Sequence, residues 1–205
     1  MRQTLQPNPY PHKFHVSQSI SSYIEKYGIP GKIENGTRLE GTTESLAGRI
    51  HNIRPSGQNL RFYDLHGEGK KVQIMAQSQY VAATSFYIFG LKRESPCSVR
   101  DAKDPQSFAS THSHFRRGDI VGVKGTPSRT KMGELSIAPL EMTLLAPNLH
   151  QLPSAHFGLK DQETRYRKRY LDLVMNNDTR QIFITRSRIL NYIRRFLDGL
   201  GFLEV

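Results

Sequence analysis

The chain has 205 residues, with 29 lysines and arginines against 18 aspartates and glutamates, which gives a net charge of +11. This length accommodates one or two domains with a buried core, and the absence of any apolar run of about 18 residues excludes a predicted membrane-spanning helix. The positive charge favours a polyanionic partner, either nucleic acid or an anionic membrane surface, although a generically basic protein has the same composition.

The first 45 residues predict an extended arm followed by one short amphipathic helix. His12 and His15 lie three residues apart in the arm, but no carboxylate or thiol accompanies them, so we predict no metal site. The helix is expected to open at Ser17 and to end at Gly28. Its apolar residues have helical spacing: Ile20, Tyr23, Ile24 and Tyr27.

Three short strands in series are predicted at residues 46–53, 60–65 and 72–76. Pro55-Ser56-Gly57 separates the first two, and Gly67-Glu68-Gly69 separates the second from the third. The second separator continues into a lysine but does not complete a GxxxxGK[ST] pattern. We therefore predict a hairpin turn there and not a phosphate-binding loop.

These three strands carry side chains that suit an unpaired nucleic-acid base. The middle strand alternates with period two, so that Phe62 and Asp64 share one side and Tyr63 lies on the other. Arg54 and Gln73 occupy adjoining positions on the neighbouring strands. The meander therefore predicts a platform for a base, while each of these residues also has an ordinary explanation in barrel packing or surface charge.

The pattern weakens at residues 80–103, which we interpret as an insertion that is partly disordered at its charged end. A helix is then predicted to begin at Asp104, with Pro105 in its first position. Phe108 and Phe115 are seven residues apart, so they are expected to share a face.

Two further strands complete the predicted barrel. The fourth covers residues 119–126 and is expected to end at Pro127, and the fifth covers residues 134–137 and resumes after Pro139 as residues 141–145. The order strand, strand, strand, helix, strand, strand predicts a mainly β fold, a five-stranded OB-type Greek-key barrel whose strand 2–3 face binds oligonucleotides. A generic small β-barrel without a ligand is the alternative.

The C-terminal part predicts a linker, two helices and the start of a strand. The linker is residues 147–160, and Asp161 then caps a helix over residues 161–175 that carries a run of arginine and lysine. The second helix covers residues 178–200, ends at Gly201 and has a broad apolar stripe, with a strand expected to start at residue 202. We expect such a stripe either to dock on another subunit or to belong to a larger protein.

Four long segments resemble one known family. GRIHNIRPSGQNLRFYDLHGEG, RRGDIVGVKGTPSRTKMGELSI and HFGLKDQETRYRKRYLDL resemble the N-terminal part of class II lysyl-tRNA synthetases of the eukaryotic cytosolic type, and IRRFLDGLGFLEV resembles the opening of motif 1 of their catalytic domain. The likeness covers nearly the whole chain except residues 80–103. It implies an arm and helix (1–45), an anticodon-binding barrel (46–146), a linker (147–160) and the truncated start of a catalytic domain (161–205).

The resemblance also implies a role for four residues in binding the anticodon of lysine tRNA. Phe62 matches the position where the family stacks an aromatic ring on a base, and Arg54 and Gln73 match those that hydrogen-bond the central uridine. Glu134 matches a carboxylate that recognises the neighbouring uridine. An arginine only donates, a glutamine does both and a carboxylate only accepts, so such a set would distinguish uracil from cytosine by polarity.

The resemblance implies that lysine activation with ATP and Mg²⁺ belongs to motifs beyond Val205, so we assign no catalytic residue, metal or cofactor to this chain. It further implies a homodimer in the full-length family. The single cysteine, Cys97, and the absence of a signal-peptide pattern favour a cytoplasmic protein without a membrane partner. Two alternatives stay open: a stand-alone single-strand-binding module, and a subunit-interaction fragment in which the helix at residues 178–200 is the working part.

Overall fold

A computed structural model describes residues 14–78, 86–88, 91–93, 108, 112–153 and 159–205. The chain divides into two compact units, Met1–Gln151 and Leu152–Val205. The described residues of the first unit form these elements: α1 (Ile20–Tyr27), β1 (Glu44–Pro55), β2 (Leu60–Gly67), β3 (Lys70–Gln77), β4 (Phe86–Ile88), β5 (Leu91–Arg93), β6 (Ile120–Arg129) and β7 (Leu135–Ala146).

Five of these strands close into a barrel in the order β1-β2-β3-β7-β6. Every neighbouring pair is antiparallel except β3 and β7, which pair in parallel at Gln73↔Ser136 and Ile74↔Ile137. Closure removes the free sheet edges that an open five-stranded sheet would expose. The strand order confirms the predicted five-stranded OB-type barrel.

The predicted turns are formed as their sequences require. Glu68 and Gly69 both have positive φ (55° and 80°), the conformation of a two-residue hairpin whose twist matches that of the flanking strands. Gly57 and Gly133 also have positive φ, in the connections that follow β1 and β6. The turn between β2 and β3 is thus a hairpin, as predicted.

Two prolines do not end strands, contrary to the prediction. β6 continues through Pro127 to Arg129, and β7 runs without interruption through Pro139. Pro127 lies beyond Gly125, the last residue of β6 that pairs with β1, so its missing N–H interrupts no ladder on that side. Pro139 faces Gly125 beside a register shift in the β6–β7 pairing, where a ladder hydrogen bond is already lost.

Helix α1 covers one end of the barrel core and begins two residues later than predicted. Ser19 and not Ser17 is the N-cap, with its side chain accepting a hydrogen bond from the N–H of Ser22. Ser17 instead donates from Oγ to the Glu44 carboxylate at 2.7 Å. Three apolar residues of the helix are buried in the core: Ile20, Tyr23 and Tyr27.

Glu44 at the start of β1 ties α1 to the barrel. Lys26 Nζ and the Tyr27 hydroxyl donate to one oxygen of its carboxylate at 2.8 and 2.6 Å, and Ser17 donates to the other. Burial alone would raise the pKa of Glu44, but these three hydrogen bonds outweigh it and hold the pKa below its usual value. The carboxylate is therefore a structural anchor.

The segment predicted as an insertion contains two short described strands. β4 pairs with β5 in an antiparallel manner across residues 86–88 and 91–93. The charged end for which disorder was predicted begins with β5, and the rest of it, residues 94–103, lies outside the described residues together with the helix start at Asp104 and Pro105. Phe108 and Phe115 are both buried in the core, 5% and 4% exposed.

The described residues of the second unit, 152–153 and 159–205, contain three helices where two were predicted. They are α2 (Gln162–Arg167), α3 (Arg169–Met175) and α4 (Asn177–Gly199). Asp161 caps α2 as predicted, by accepting a hydrogen bond from the N–H of Thr164. The backbone leaves the helical conformation at Lys168 (φ −113°, ψ 52°), which divides the predicted helix in two. The strand predicted at residues 202–205 is not formed.

The buried Asp172 in α3 holds the three helices together. Its carboxylate accepts hydrogen bonds from Arg165 Nε at 3.0 Å and Arg169 Nη1 at 2.6 Å, and Arg165 Nη2 continues to the hydroxyl of Thr179 in α4. Arg167 pairs with Glu163 at 2.7 Å. Much of the basic run in this unit is therefore engaged with carboxylates of its own helices.

Helix α4 exposes most of its predicted apolar stripe, and Gly201 ends it as predicted. Gly201 has φ 83°, and the N–H of Phe202 donates to the Leu197 carbonyl, the pattern of a helix terminated in the left-handed region. The exposed apolar residues include Ile182, Ile189, Ile193, Phe196, Leu197 and Leu200. None of the helices among the described residues is long and apolar enough to cross a membrane.

Candidate nucleic-acid interface

The first three strands of the barrel have an apolar inner side and a polar outer side. Tyr63 and Leu65 of β2 point inward and are fully buried, whereas Phe62 and Asp64, which alternate with them, point outward and are only partly buried. This division follows from the period-two geometry of a strand. The outer side of β1, β2 and β3 is the candidate interface.

Cross-strand pairing arranges the outer side chains in three rows. We name them the stacking row, the polar row and the basic row after their side chains. In order across β1, β2 and β3 the stacking row is Arg54, Phe62 and Met75, the polar row is Asn52, Asp64 and Gln73, and the basic row is Arg49, His66 and Lys71.

Arg54 and Phe62 face each other as direct cross-strand partners in the stacking row. The Arg54 side chain is 48% exposed, and its Nη2 donates to Asp64 Oδ1 at 2.9 Å. Phe62 is half-buried on the same side of the sheet. An arginine held by a carboxylate beside an aromatic ring presents its remaining N–H donors next to a stacking surface.

Gln73 of the polar row is held by two hydrogen bonds that fix the orientation of its amide. Ser136 Oγ donates to Gln73 Oε1 at 3.0 Å, and Gln73 Nε2 donates to Glu134 Oε2 at 2.8 Å. Because a carboxylate only accepts, a flipped amide would turn its carbonyl oxygen toward Glu134 and lose this hydrogen bond. Gln73 is 4% exposed, so this orientation is set inside the sheet surface.

Glu134 lies immediately before β7, in the turn that the predicted Lys131-Met132-Gly133 sequence forms. Its second carboxylate oxygen is 3.6 Å from Lys71 Nζ, and both side chains are about half exposed (42% and 48%). The carboxylate thus accepts from Gln73 on one oxygen and is compensated by a lysine at the other. It keeps acceptor capacity toward solvent.

All four residues predicted from the resemblance lie in one surface region. Arg54 is adjacent to Phe62, Gln73 contacts Glu134 directly, and Asp64 connects the two pairs because it binds Arg54 and is the cross-strand partner of Gln73. Sequence reasoning assigned no role to Asp64, although its alternation with Phe62 was a usable signal. It also missed Ser136, for which the sequence contains no signal.

His66 of the basic row stacks on the imidazole of His51, which lies at an irregularity in β1. The β1–β2 register shifts between Ile50 and Asn52, so His51 is an extra residue and its ring lies against that of His66, with centroids 3.9 Å apart and planes 15° apart. Burial, the neighbouring His66 and the cations Arg117 and Arg49 lower the pKa of His51 to about 4. Burial and then Lys71 lower the pKa of His66.

Two arginines are fixed beside these rings through backbone carbonyls. Arg49 Nη1 donates to the Gly118 carbonyl at 2.7 Å, and Arg117 Nε donates to the His51 carbonyl at 2.8 Å. Together with Lys71 they place three permanent cations around two imidazoles that are neutral near pH 7. This end of the interface is accordingly positive.

The described side chains of the interface suit RNA contacts better than metal binding. Among the residues that the structure describes, no three histidine, cysteine, aspartate or glutamate side chains converge as metal ligands would. The donor set of the outer face, arginine, lysine, amide and imidazole with a few carboxylates already hydrogen-bonded, does not fit Mg²⁺. Its chemistry is that of hydrogen bonding and stacking with a base and of charge pairing with phosphate.

Two family models match the chain in succession. Residues 44–145 match the model described as OB-fold nucleic acid binding domain, and residues 161–205 match the model described as tRNA synthetases class II (D, K and N). The first match covers the whole barrel, including β1 to β3 and Glu134. The second match begins at the cap of α2.

Similar proteins include several that are named lysine--tRNA ligases. Lysine--tRNA ligase cla4 of Cladosporium cladosporioides is 40% identical over 210 residues, which is 100% of this chain and 31% of that protein. Lysine--tRNA ligase 2 of Methanosarcina mazei is 39% identical over 197 residues (96% of the chain, 33% of that protein), and that of Moorella thermoacetica 37% over 201 (94% and 36%). The chain spans about a third of the length of these relatives.

Proposed function

This chain belongs to the family of lysine–tRNA ligases, and from that premise we propose that its barrel (46–146) binds the anticodon loop of lysine tRNA. The observation that carries the proposal is the 2.8 Å hydrogen bond between Gln73 and Glu134, which joins two residues 61 positions apart beside the outward-facing Phe62. It assembles a stacking surface, donors and an acceptor within one small area.

The proposed recognition divides stacking from hydrogen bonding. An anticodon base stacks on Phe62, which contributes about 1–3 kcal/mol and tolerates any base. Arg54 and the remaining N–H of Gln73 donate to the carbonyl oxygens of the central uracil, and Glu134 accepts from the N3–H of the neighbouring uracil. Cytosine has no N3–H and has an amine in place of O4, so it would leave these groups unpaired.

In the parent enzyme we propose that ATP-dependent attachment of lysine to tRNA takes place in the catalytic domain that residues 161–205 begin, with ATP and Mg²⁺ bound there. Residues 1–45 and 147–160 serve as N-terminal extension and linker. We assign the parent to the cytoplasm as a homodimer, with the exposed apolar face of α4 in the dimer contact. The 205-residue chain is expected to bind tRNA without activating lysine.

The test compares two anticodon stem–loops of lysine tRNA that differ only by uridine or cytidine at the central anticodon position. The wild-type chain should bind the uridine form more tightly, and Arg54→Ala should remove most of that preference. Lys70→Ala removes the same charge from the neighbouring hairpin and should leave the preference intact. Equal affinities of the wild-type chain for the two stem–loops would refute the proposal. Lysine-dependent ATP–pyrophosphate exchange by this chain would show that it activates lysine by itself, contrary to the proposal.

The exposed face of α4 supports a second proposal, that residues 160–205 serve subunit association. Deleting them should abolish self-association in sedimentation measurements while the barrel still binds the stem–loop. If the shortened chain associates as the full chain does, α4 is not the contact.

A further inference from the structure

We propose that the basic row, together with His51, binds one further nucleotide of the same RNA strand, next to the nucleotides held by the stacking and polar rows. This inference rests on the proposed function, since it requires single-stranded RNA on the outer face of β1 to β3. It adds a base-stacking and phosphate-binding position that lies outside the four residues implied by the resemblance.

The stacked imidazoles supply the surface for a base. His51 lies on the outer side, two residues after Arg49, and as the extra residue of the β1–β2 pairing it has no partner of its own in β2. Its ring covers that of His66 at 3.9 Å, and both residues remain partly exposed. Imidazole is one of the aromatic groups on which single-stranded bases stack, and a preformed pair loses little conformational freedom on binding.

Cations surround this surface in a manner that fits a phosphate. Arg49 and Lys71 flank His66 on both sides as its cross-strand partners in β1 and β3, and Arg117 reaches the His51 carbonyl from the loop before β6. Two acidic groups face the row: Asp64, which is bound to Arg54, and Glu134, which is bound to Gln73 and lies 3.6 Å from Lys71 Nζ. Against these two stand four cations, Arg49, Lys71, Arg117 and Arg54. The local charge is therefore net positive, as a phosphodiester requires.

The spacing of the rows suits consecutive nucleotides. Phe62 and His66 are four residues apart on β2, which corresponds to about 13 Å, and the polar row lies midway between them. A strand that stacks on Phe62 and is recognised in the polar row is thereby directed along β2 toward His66. The two ends of the interface then have different tasks, base selection at one end and backbone anchoring at the other.

The test measures affinity of the whole chain for the uridine-containing anticodon stem–loop as a function of salt. Lys71→Ala should lower the slope of log affinity against log salt by about one, whereas Lys70→Ala, the adjacent residue outside the row, should leave it nearly unchanged. His66→Ala should weaken binding by about tenfold, and His66→Phe should restore it because the stacking surface returns. In all four variants the preference for uridine over cytidine should persist.

Three results would overturn the inference: equal loss of salt slope in the two lysine variants, unchanged affinity in His66→Ala, or equally weak binding by His66→Ala and His66→Phe. Thermal unfolding verifies that each variant is folded. If His66→Ala is unfolded, His66→Phe tests the stacking surface in its place, because it keeps an aromatic ring. If only the basic-row inference is wrong, the wild-type chain still prefers uridine over cytidine. If the proposed function is wrong, the wild-type chain shows no such preference.

Discussion

The two sides of β2 show how one strand divides its residues between folding and recognition. Tyr63 on the inner side is fully buried, its hydroxyl hydrogen-bonds His112 Nδ1 at 2.7 Å, and its ring contacts Phe115 edge to face. Phe62, one residue earlier, is an aromatic of similar size that stays half-buried on the outer side. Aromatic character alone therefore does not indicate which ring supports the barrel and which can stack on a base.

The inner and outer sides of β2 also differ in their polar contacts. On the inner side, the Tyr63 hydroxyl and His112 Nδ1 share one buried hydrogen bond, while His112 Nε2 has no partner among the described residues. Burial raises the pKa of the tyrosine and lowers that of the histidine to about 3. On the outer side, Arg54, Asp64, Gln73 and Glu134 bind one another but keep further donors and acceptors. The inner pair is closed off from solvent, whereas the outer groups retain capacity for a ligand.

Replacing the two aromatic rings should separate folding from binding most strongly. Tyr63→Ala removes a buried ring and leaves His112 without its partner, so we expect it to lower the free energy of unfolding by about 3–5 kcal/mol. Phe62→Ala should lower it much less, but should weaken stem–loop binding by about 1–3 kcal/mol for uridine and cytidine forms alike. Denaturant unfolding and equilibrium binding measure the two quantities.

A stability loss of equal size in the two aromatic variants would contradict the division between inner and outer side. Tyr63→Phe serves as the milder inner-side variant, because it keeps the ring and removes only the hydroxyl.

A smaller effect is expected from pH, through the buried His112. Its pKa is about 3 in the folded chain against about 6.5 when unfolded, so the unfolded chain takes up a proton first as the pH falls. Stability should therefore decrease from about pH 7 to about pH 5, by about 2 kcal/mol from this residue. The decrease is measured by denaturant unfolding at a series of pH values.

His112→Asn provides the control, because asparagine can still hydrogen-bond Tyr63 but does not titrate. The variant should be less stable overall yet show a flatter dependence of stability on pH. An unchanged pH dependence in the variant would mean that other groups, His51 among them, cause the decrease.

The smallest effect concerns Asp64, which touches the outer groups without being among those implied to contact a base. Asp64→Asn keeps an acceptor but removes the charge that holds Arg54, and should reduce the uridine-over-cytidine preference by about 1 kcal/mol. In the Arg54→Ala background the same substitution should change nothing further. If the effects of the two substitutions simply add, Asp64 does not act through Arg54.

The regular parts of the fold were predictable because local patterns and global packing agree in them. The alternation of Phe62 and Tyr63 placed the two rings on opposite sides of the strand, and Gly67-Glu68-Gly69 placed the hairpin. The strand ends predicted at Pro127 and Pro139 were wrong, because a strand tolerates proline where a ladder hydrogen bond is already absent. At Pro127 the bond is absent because the pairing with β1 ends at Gly125, and at Pro139 because of a register shift. The residues next to each proline in the sequence indicate neither.

Contacts between distant parts of the chain limited the prediction of the α1 cap and of the candidate site. Ser17 and Ser19 are equally good caps by sequence, and the choice is decided by Glu44, a partner 27 residues from Ser17. The position of Glu134 was expected only from the family resemblance, because its contact with Gln73 spans the barrel closure. Ser136 and the stacked His51 depend on side-chain geometry and on an irregularity in β1, and a period-two pattern predicts neither.

The parallel pairing of β3 with β7 has a consequence for the newly synthesised chain. Arg54 and Phe62 lie on a hairpin of neighbouring strands, but Gln73 obtains Glu134 and Ser136 only when β7 docks beside β3. A nascent chain still held by the ribosome before residue 136 emerges can offer a ring and a guanidinium, without the acceptor that the proposed uridine recognition requires. On that proposal, selective binding of tRNA is expected only after the barrel has closed.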